Sequence, residues 1–442
     1  MNKTFFFYDL ETSGLRQRED RIMQFAGQRT DMELNPIGEP VNILVKMTDD
    51  ALPSPGAIMV TKITPQQTLA DGIMESEFCR IAMDEIFVPN TIALGYNTVR
   101  FDDEFMRATL WRNFYDPYEW EWKDGRSRWD LLDVVRMTRA LRPEGINWPV
   151  TDEGKATNRL ELLTKENGLA HEHAHDALSD VYATIAVAKL IREKQRDIFD
   201  YLLRMRDKRE VMKLVNLENP QPFVYSSGRY SSEYEKTTVA FPLAPGKNGN
   251  VLVFDLRHSI SPDFPIVKEL CFNKCPAVAP MAVLDKADGW RKIGLEKDTV
   301  MQNLTELLKH PEFAEQMRTM HEKRPEFPPA VEPEQALYDG FLSDTDRIKV
   351  SAVRNADAAR LADFHPDFHD PRLPELLLHY KGRNFPESLS EQEAEKWESY
   401  RKERLLRQVP KFMEELAKFG SKDEFIAEEL KLYFENVFAS DY

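Results

Sequence analysis

Residues 4–14 have the sequence TFFFYDLETSG, in which an apolar run directly precedes two acidic residues. The run from Phe5 to Leu10 is short, aromatic and continuous, and it predicts a buried β-strand. Side chains two positions apart in a strand point to the same face, so Asp9 and Glu11 would lie side by side. Two poorly hydrated carboxylates repel each other unless a cation such as Mg²⁺ lies between them. The alternative is a strand that ends in solvent, where both groups are harmless.

A second acidic group follows another apolar run. Residues 91–94 (TIAL) predict a buried strand that ends at Gly95, and FDDE follows at residues 101–104. One carboxylate of this group could face the first pair. Acidic residues are also typical of the first turn of a helix, where they interact favourably with the helix dipole. That alternative accounts for Glu104 and in part for Asp103.

The third signal is HDALSD at residues 175–180. Five residues of an α-helix rotate by roughly 500°, so His175 and Asp180 would not share a helical face. Their pairing requires His175 on the loop before a helix, where it could cover a metal site that Asp180 helps to form. His171 and His173 suggest a zinc site instead, but three histidines spaced two apart fit no closed zinc pattern.

Strand and helix signals alternate over residues 1–195, which predicts an α/β fold with a mixed sheet. The longest helix predicted there covers residues 177–194. Residues 196–348 contain short strand signals between turns, including a hairpin signal, GKNGN, at 246–250. They predict a small β-rich domain, which a helix near 298–323 follows.

The remaining residues, 349–442, carry almost no strand signal and predict a domain of packed helices. Ser390 with Glu393, and Ser421 with Glu424, are spaced as capping boxes that begin helices. Gly420 lies where a helix C-cap is expected. No heptad pattern persists for three or four repeats, so we do not expect a coiled coil.

The composition limits the number of domains and the classes of function that the chain can have. A chain of 442 residues predicts two to four domains at roughly 100–200 residues each. The net charge of −16 argues against nucleic-acid or membrane binding through bulk positive charge, although it allows a local basic groove. Three cysteines form neither a disulfide framework nor a closed zinc site, which favours a reducing compartment. With no secretory signal and no apolar run near ~18 residues, we expect a soluble, cytoplasmic protein without membrane association.

The three acidic signals occur in an order that resembles the DEDD-type 3′→5′ exonucleases of the histidine branch. The quoted motifs are DLET, NTVRFDD and HDALSD. Further segments, among them SRWDLLDVVRMTRALRPEGINWP, RLELLTKENG, NKCP and FLSD, resemble the bacterial exonuclease I family. The resemblance is densest between residues 90 and 200 and weakest in the C-terminal helical part. It implies a ribonuclease H-like exonuclease domain (1–195), an SH3-like domain (196–348) and a C-terminal all-helical domain (349–442).

By this resemblance the catalytic residues are four metal ligands and one general base. The ligands would be Asp9, Glu11, Asp102 and Asp180, and His175 would be the base. The family's Phe-Asp pattern favours Asp102 over Asp103. The implied cofactor is a pair of Mg²⁺ ions, for which Mn²⁺ can substitute. The implied reaction is hydrolysis of single-stranded DNA from its 3′ end to 5′-mononucleotides, processively, in DNA repair and recombination.

Aromatic and basic residues alternate between residues 107 and 142, a composition that suits single strands held by base stacking and backbone cations. Acidic residues in the same segment nearly cancel its positive charge, so base stacking supports DNA binding here more strongly than backbone cations do. For Trp111 and Phe114 we expect buried core positions instead. By resemblance, the substrate-binding residues are Glu11, Arg107, Tyr118, Trp122, Arg136 and Arg159.

The resemblance also implies a protein partner. Enzymes of this family bind the acidic C-terminal tail of the single-stranded-DNA-binding protein, and Arg142 and Tyr201 are at matching positions. A further basic position of that site is replaced here, with Gln221 near it. We expect a monomer, because enclosing DNA within one chain needs no partner subunit.

Three other functions remain as alternatives at this point. An RNA-directed exonuclease of the oligoribonuclease or transfer-RNA-trimming kind is usually one small domain, which the length disfavours. A polymerase proofreading subunit would not resemble the C-terminal two-thirds of the chain. A non-catalytic adaptor that binds DNA would not need the complete set of acidic residues.

Overall fold

The computed structural model describes residues 2–171, 176–260, 267–324 and 330–439. These residues form two five-stranded sheets and a C-terminal group of helices. The strands of the first sheet are β1 (Thr4–Thr12), β2 (Ile22–Thr30), β3 (Val41–Leu44), β4 (Thr91–Gly95) and β5 (Ser127–Asp130). The strands of the second sheet are β6 (Phe223–Ser226), β7 (Thr237–Pro245), β8 (Val251–Asp255), β9 (Val267–Leu270) and β10 (Ala277–Pro280).

The helices fall into three groups along the chain. Those before the second sheet are α1 (Pro55–Thr61), α2 (Pro65–Asp71), α3 (Glu75–Ile81), α4 (Asp102–Arg112), α5 (Glu119–Trp122), α6 (Leu131–Leu141), α7 (Leu160–Glu166), α8 (Ala177–Lys194), α9 (Arg196–Met205) and α10 (Lys208–Leu214). Those after it are α11 (Gly289–Lys292), α12 (Lys297–Leu308) and α13 (Pro311–Glu322). The C-terminal group is α14 (Asp344–Arg354), α15 (Ala358–Ala362), α16 (Leu373–Asn384), α17 (Glu391–Phe419) and α18 (Glu424–Ala439).

The first sheet is mixed, with the strand order β3-β2-β1-β4-β5. Strand β1 pairs antiparallel with β2 and parallel with β4, so it lies at the centre of the sheet. Phe5 and Phe7 share one hydrophobic core with α8, while Phe6 and Tyr8 belong to a second core on the opposite face. A central strand with two buried faces explains the continuous apolar run in the sequence. Because alternate residues share a face, the odd-numbered residues of β1 face α8.

The second sheet is antiparallel, with the order β10-β6-β7-β8-β9. The predicted hairpin joins β7 to β8, and both Asn248 and Gly249 in its turn have positive φ, which Asn and Gly tolerate best. The single helix predicted near 298–323 is instead two helices, α12 and α13. Pro311 is the first residue of α13, and the residue before a proline is disfavoured in helical geometry, so the chain breaks at His310.

The C-terminal region is helical over its described residues, as predicted. Helix α17 begins at the predicted capping box of Ser390 and Glu393 and ends with Gly420 at its C-cap position. The second predicted capping box is wrong: Ser421 lies in a 3₁₀ turn, and Asp423 begins α18 by accepting a hydrogen bond from the backbone N of Ile426 at 3.2 Å. Among the described residues, no helix is long and apolar enough to cross a membrane.

A buried group of charged residues joins the first domain to the C-terminal region. We call Arg21, Asp50, Glu334, Arg383 and Arg404 the arginine cluster. Arg21 contacts Asp50 at 2.9 Å and Glu334 at 3.3 Å. Arg383 bonds Glu334 and contacts Asp50 at 3.3 Å, and Arg404 contacts Glu334 at 3.2 Å. These contacts hold α16 and α17 against the first sheet's domain.

Candidate active site

Three carboxylates meet where β1 ends against the start of α8. Asp9 and Glu11 come from β1, two positions apart and on the same face, as predicted. Asp180 lies in the first turn of α8, the helix that packs on this face. One carboxylate oxygen from each residue lies within 4.8 Å of the others. We call Asp9, Glu11 and Asp180 the acidic cluster.

Crowding and burial both disfavour charge in the acidic cluster. Burial raises the pKa of Glu11 to about 9, and the nearby carboxylates of Asp9 and Asp180 add to this effect. Burial likewise raises the pKa of Asp9 well above its usual range, with Asp102 and Asp180 as the next causes. A cation bound between these oxygens would reverse both effects, because it favours the ionised form of each carboxylate.

The neighbouring pair Asp102 and Asp103 divides between two environments. Asp102, at the start of α4, accepts a hydrogen bond at 3.1 Å from the backbone N of Leu10, which lies between the two acidic residues of β1. Burial, and then Asp103, raise the pKa of Asp102. Asp103 instead accepts hydrogen bonds from Tyr8 and Arg128. The carboxylate of Asp102 is therefore the one next to the acidic cluster, and that of Asp103 is matched to a buried cation.

The start of α8 holds Asp180 in place. Asp176 is the N-cap and accepts a hydrogen bond from the backbone N of Ser179 at 2.9 Å. Asp180 also contacts a histidine, but this is His171, whose Nε2 lies 2.5 Å from Oδ1 of Asp180. The predicted base His175, and His173, lie outside the described residues.

The donor set of this site suits a divalent metal ion. Its oxygens are all carboxylate oxygens, which Mg²⁺ and Mn²⁺ prefer over nitrogen or sulfur. Burial beside other carboxylates raises the pKa of Asp9 and of Glu11, so the protein alone disfavours their ionised forms. Asp9, Glu11 and Asp180, with Asp102 beside them, are the residues that could hold such an ion.

The residues predicted to bind DNA lie in different surroundings. Trp122 is 65% exposed, and Arg159 is exposed at the start of α7. Arg136 lines a cavity of about 200 Å³ together with Arg100, Arg229 and Lys274. Tyr118 is partly buried. The ring of Trp122 and the guanidinium of Arg159 are therefore accessible, whereas the side chain of Arg136 is largely buried. The role of these residues in DNA binding stays a prediction.

Arg107 is buried and, like Arg136 with Asp133, already paired. Its Nε lies 2.5 Å from Oε1 of Glu121, and its Nη1 lies 2.9 Å from Oε1 of Glu104. The guanidinium also lies over the ring of Tyr118. A DNA phosphate would have to compete with these two carboxylates. The expected core positions of Trp111 and Phe114 are confirmed, because both are buried.

Two aromatic residues were missing from the sequence prediction of the binding surface. Tyr338 and Phe341 bring their rings to 6.5 Å and 6.0 Å from the ring of Tyr118, and Phe341 is 81% exposed. They come from the segment between the second sheet and the C-terminal helices. The motif FLSD, which begins at Phe341, could have indicated them, but sequence spacing does not show that they meet Tyr118 across more than 200 residues.

The predicted partner residues lie on neighbouring helices. Arg142 follows the last residue of α6, and its guanidinium donates to the backbone oxygen of Leu141 at 2.6 Å. Tyr201 is on α9, which packs against α6, and its ring lies under the guanidinium of Arg204. Both side chains are partly buried, so a partner could reach only part of each.

Family comparisons agree with this architecture. The family model described as "Exonuclease" matches residues 6–188. The "Exonuclease I SH3-like domain" matches residues 206–266 and 263–323, and the "Exonuclease I C-terminal domain" matches residues 331–436. A mixed sheet with clustered carboxylates at the end of its central strand is therefore the catalytic domain of an exonuclease, followed by an SH3-like domain and a helical domain.

Relatives match most of the chain. Exodeoxyribonuclease I of Haemophilus influenzae is 38% identical, with 97% of this chain and 96% of the relative covered. Exodeoxyribonuclease I of Escherichia coli is 40% identical, with 90% of this chain and 89% of the relative covered. The chain belongs to the exonuclease I family, and it is an enzyme, an exodeoxyribonuclease.

Solved structures give the same result. E. coli exonuclease I in complex with a dA16 oligonucleotide has a TM-score of 0.94 and 37% identity, covering 99% of this chain and 100% of that one. The zinc-ion-bound form of the E. coli ExoI–ssDNA complex has a TM-score of 0.94 at 36% identity, with 99% and 100% covered. A structure of SSB/exonuclease I in complex with the inhibitor CFAM has a TM-score of 0.91 at 37% identity, with 99% and 100% covered.

Proposed function

We propose that this enzyme degrades single-stranded DNA from the 3′ end and releases 5′-mononucleotides, using Mg²⁺. The observation that carries the proposal is the meeting of Asp9, Glu11 and Asp180 within 4.8 Å at the end of the central strand. The similar E. coli enzyme has been solved with a dA16 oligonucleotide, which supports a single-stranded DNA substrate here. An RNA substrate is disfavoured, because the second and third domains are those of the exonuclease I family.

Asp9, Glu11, Asp102 and Asp180 would hold a pair of divalent ions, with Mg²⁺ as the working metal and Mn²⁺ as a substitute. Bound ions of this kind polarise the scissile phosphate and lower the pKa of a bound water. Although the E. coli relative has been solved with zinc, four carboxylates are hard oxygen ligands that favour Mg²⁺ or Mn²⁺. By holding these ions in place, the four side chains would also fix the position of the phosphate.

His175 is proposed to take the proton from the attacking water, because its ordinary pKa near 6.5 suits that role. The His175→Ala variant should lose about 10²–10⁴-fold in rate with Mg²⁺, the usual contribution of a general base. His310→Ala, which changes an exposed histidine at the start of α13, should keep the normal rate. A near-normal rate for His175→Ala would exclude it as the base.

The DNA-binding surface is proposed to combine stacking rings with backbone cations. Tyr118, Trp122 and Phe341 would stack on bases, which is typically worth about 1–3 kcal/mol per base. Arg107, Arg136 and Arg159 would contact phosphates, and Glu11 would also contact the terminal nucleotide. For Arg107 this requires exchange of its present bonds to Glu104 and Glu121.

We also propose processive digestion, with boundaries of the three domains after residues 195 and 348. Tyr338 and Phe341 lie against Tyr118 of the exonuclease domain, which supports a strand held between domains. The test is a time course in which excess unlabelled DNA is added after binding. Continued shortening of the labelled strands already bound would support processivity, and an immediate stop would exclude it. Deleting the C-terminal helices is a poorer test, since it would remove Arg383 and Arg404 from the buried arginine cluster.

The proposed partner is the single-stranded-DNA-binding protein, through its acidic C-terminal tail at Arg142 and Tyr201. A structure of SSB/exonuclease I supports this for a similar protein. Tail-peptide affinity should fall in Arg142→Ala and stay normal in Arg80→Ala, which changes an exposed arginine on α3, a helix that packs on the opposite face of the first sheet from α6. Equal affinities would count against the site. A monomeric enzyme acting in DNA repair and recombination in the cytoplasm completes the proposal.

The decisive experiment is a time course on 5′-labelled single-stranded DNA with Mg²⁺, beside the same strand blocked at its 3′ end. Duplex DNA, RNA and EDTA are run in parallel, together with Asp180→Ala and the matched control Asp298→Ala in the first turn of α12. Shortening from a free 3′ end, prevented by the block, EDTA and Asp180→Ala, is the expected result. Faster loss of RNA than of DNA, or binding without cutting, would overturn the proposal.

A further inference from the structure

A short turn after α7 brings a histidine back to the acidic cluster. Gly168 has φ of +64°, a conformation that glycine adopts without strain, and it reverses the chain after α7. The backbone N of Leu169 then donates to the backbone oxygen of Thr164 at 2.9 Å. This turn places the His171 side chain, only 4% exposed, between α7 and the start of α8.

Both ring nitrogens of His171 have partners of defined position. Nε2 lies 2.5 Å from Oδ1 of Asp180, and Nδ1 lies 3.2 Å from the hydroxyl of Thr164. Thr164 is fully buried, and with the hydrogen of the neutral ring on Nε2 its hydroxyl donates to Nδ1 instead of to the backbone oxygen of Leu160, which lies 3.0 Å away. The ring is therefore fixed at one end by a helix and directed at the other end towards a carboxylate.

The carboxylate of Asp180 faces two others. One of its oxygens lies within 4.8 Å of an oxygen of Asp9 and of Glu11, and ionised carboxylates at this distance repel each other. A hydrogen bond to Asp180 therefore helps to keep its carboxylate towards the other two. With a hydrogen on Nε2, His171 donates to one oxygen of Asp180, and a carboxylate has about four acceptor positions, so room for a metal ion remains.

We propose that His171 is a positioning residue for the metal site: it holds the Asp180 carboxylate towards Asp9 and Glu11, and Thr164 fixes the His171 ring. This inference rests on the proposed function, since it assumes that Asp180 is a metal ligand. Groups that hydrogen-bond to metal ligands typically contribute about 10–100-fold to metal affinity or activity. The histidine acts through Asp180 and is distinct from the proposed base, His175.

The test is a titration of the full-length, DNA-free enzyme with Mn²⁺ alone, followed by calorimetry and electron paramagnetic resonance. His171→Ala should bind Mn²⁺ about 10–100-fold more weakly than the wild type. His171→Gln should recover most of the affinity, because its amide can donate from nearly the position of Nε2. Thr164→Val should show a smaller loss. The control Thr305→Val removes the hydroxyl of an exposed threonine on α12, which bonds the backbone oxygen of Met301 at 2.7 Å, and it should bind normally.

Digestion of single-stranded DNA gives a second readout. The Mg²⁺ concentration for half-maximal rate should rise in His171→Ala, and saturating Mg²⁺ should restore part of the rate. Unchanged Mn²⁺ affinity in a folded His171→Ala would overturn the proposal, as would equal loss in His171→Gln and His171→Ala. If His171→Ala does not fold in EDTA, the other two variants still decide the matter. If the variants differ from the wild type in Mn²⁺ affinity as expected but the wild type cuts no DNA, the proposed function is refuted and the role of His171 in the metal site is not.

Discussion

The acidic cluster and the arginine cluster both bury carboxylates, but they surround them with opposite charges. At the end of β1, the neighbours of Asp9 and Glu11 are other carboxylates, and the pKa values of both residues are raised. Between the exonuclease domain and the C-terminal helices, burial alone would raise the pKa of Glu334, but Arg383, Arg404 and Arg21 lower it well below its usual range.

The difference separates a structural site from a site for a ligand. The charge of a buried carboxylate bonded to arginines is already compensated within the protein, and removing either partner leaves an uncompensated charge. The charge of a buried carboxylate beside other carboxylates is not compensated by its neighbours, and a cation from solution is needed to compensate it. The same residue type should therefore respond to neutralisation in opposite ways at the two places.

The largest effect is expected for Asp9→Asn. Loss of one ligand should reduce Mg²⁺-dependent digestion of single-stranded DNA by on the order of 10³-fold, since a catalytic metal supplies several kcal/mol. In EDTA, the same variant should melt at a slightly higher temperature than the wild type, because the free-energy cost of burying the Asp9 carboxyl group beside other carboxylates is gone. Rates from the 5′-labelled assay and melting curves in EDTA test both parts. A clearly lower melting temperature would show that the acidic cluster is structural.

Glu334→Gln should have the opposite effect on stability from Asp9→Asn and should make the folded protein less stable. It removes one of the two carboxylates, the other being Asp50, that contact all three arginines of the cluster, and breaking a buried ion pair in this way costs about 3–5 kcal/mol. Denaturant or thermal unfolding measures the loss. Glu322→Gln on α13, which removes an exposed partner of Arg318, serves as the control and should unfold like the wild type. Equal stability of both variants would remove the structural role assigned to the arginine cluster.

Adjacent residues offer the sharpest version of the comparison. Asp103→Asn should destabilise the protein by about 1–3 kcal/mol, because buried Arg128 loses one charged partner while it keeps Glu121 at 3.1 Å. Its Mn²⁺ affinity should stay near normal. Asp102→Asn should lose Mn²⁺ affinity and activity at little cost in stability. Calorimetric titration and unfolding of both variants distinguish them, and exchanged results would make Asp103 the ligand.

The smallest effect concerns pH. The folded-state pKa of Glu334 lies below its ordinary value of 4.5, so its stabilisation is fully present above pH 4.5 and is lost as the pH falls below that value. The difference in melting temperature between wild type and Glu334→Gln should therefore be constant from pH 7 to pH 5 and shrink towards pH 3. A difference that grows in acid would contradict the sign of this pKa shift.

Much of the exonuclease domain could be predicted from local sequence. The apolar run before Asp9 gave the central strand, and the two-residue spacing gave the shared face of Asp9 and Glu11. The predicted helix at 177–194 has the same bounds as α8. These features depend on periodicity and on neighbours in the chain, which a sequence displays directly. Asp180 could be placed in the first turn of α8 for the same reason.

Other features depend on residues that are distant in the chain. Nothing near Arg21 or Asp50 indicates that Glu334, Arg383 and Arg404 will surround them, since single charged residues are typical of a solvated surface. The choice between two neighbouring N-cap residues could not be predicted either. Both Ser421 and Asp423 are good N-caps, and the structure selects Asp423. The histidine at 171 was considered only for zinc, because its contact with Asp180 depends on the turn at Gly168.

The arginine cluster also bears on how the protein is made. Arg21 and Asp50 are synthesised early and can pair with each other, but Arg404 follows more than 350 residues later. At about 5–20 residues per second, Arg404, the last of their partners, arrives roughly 20–70 s after Asp50. A nascent or prematurely terminated chain would therefore expose an unfinished docking face on its exonuclease domain. Chaperones and proteases could recognise such a chain before it reached any DNA.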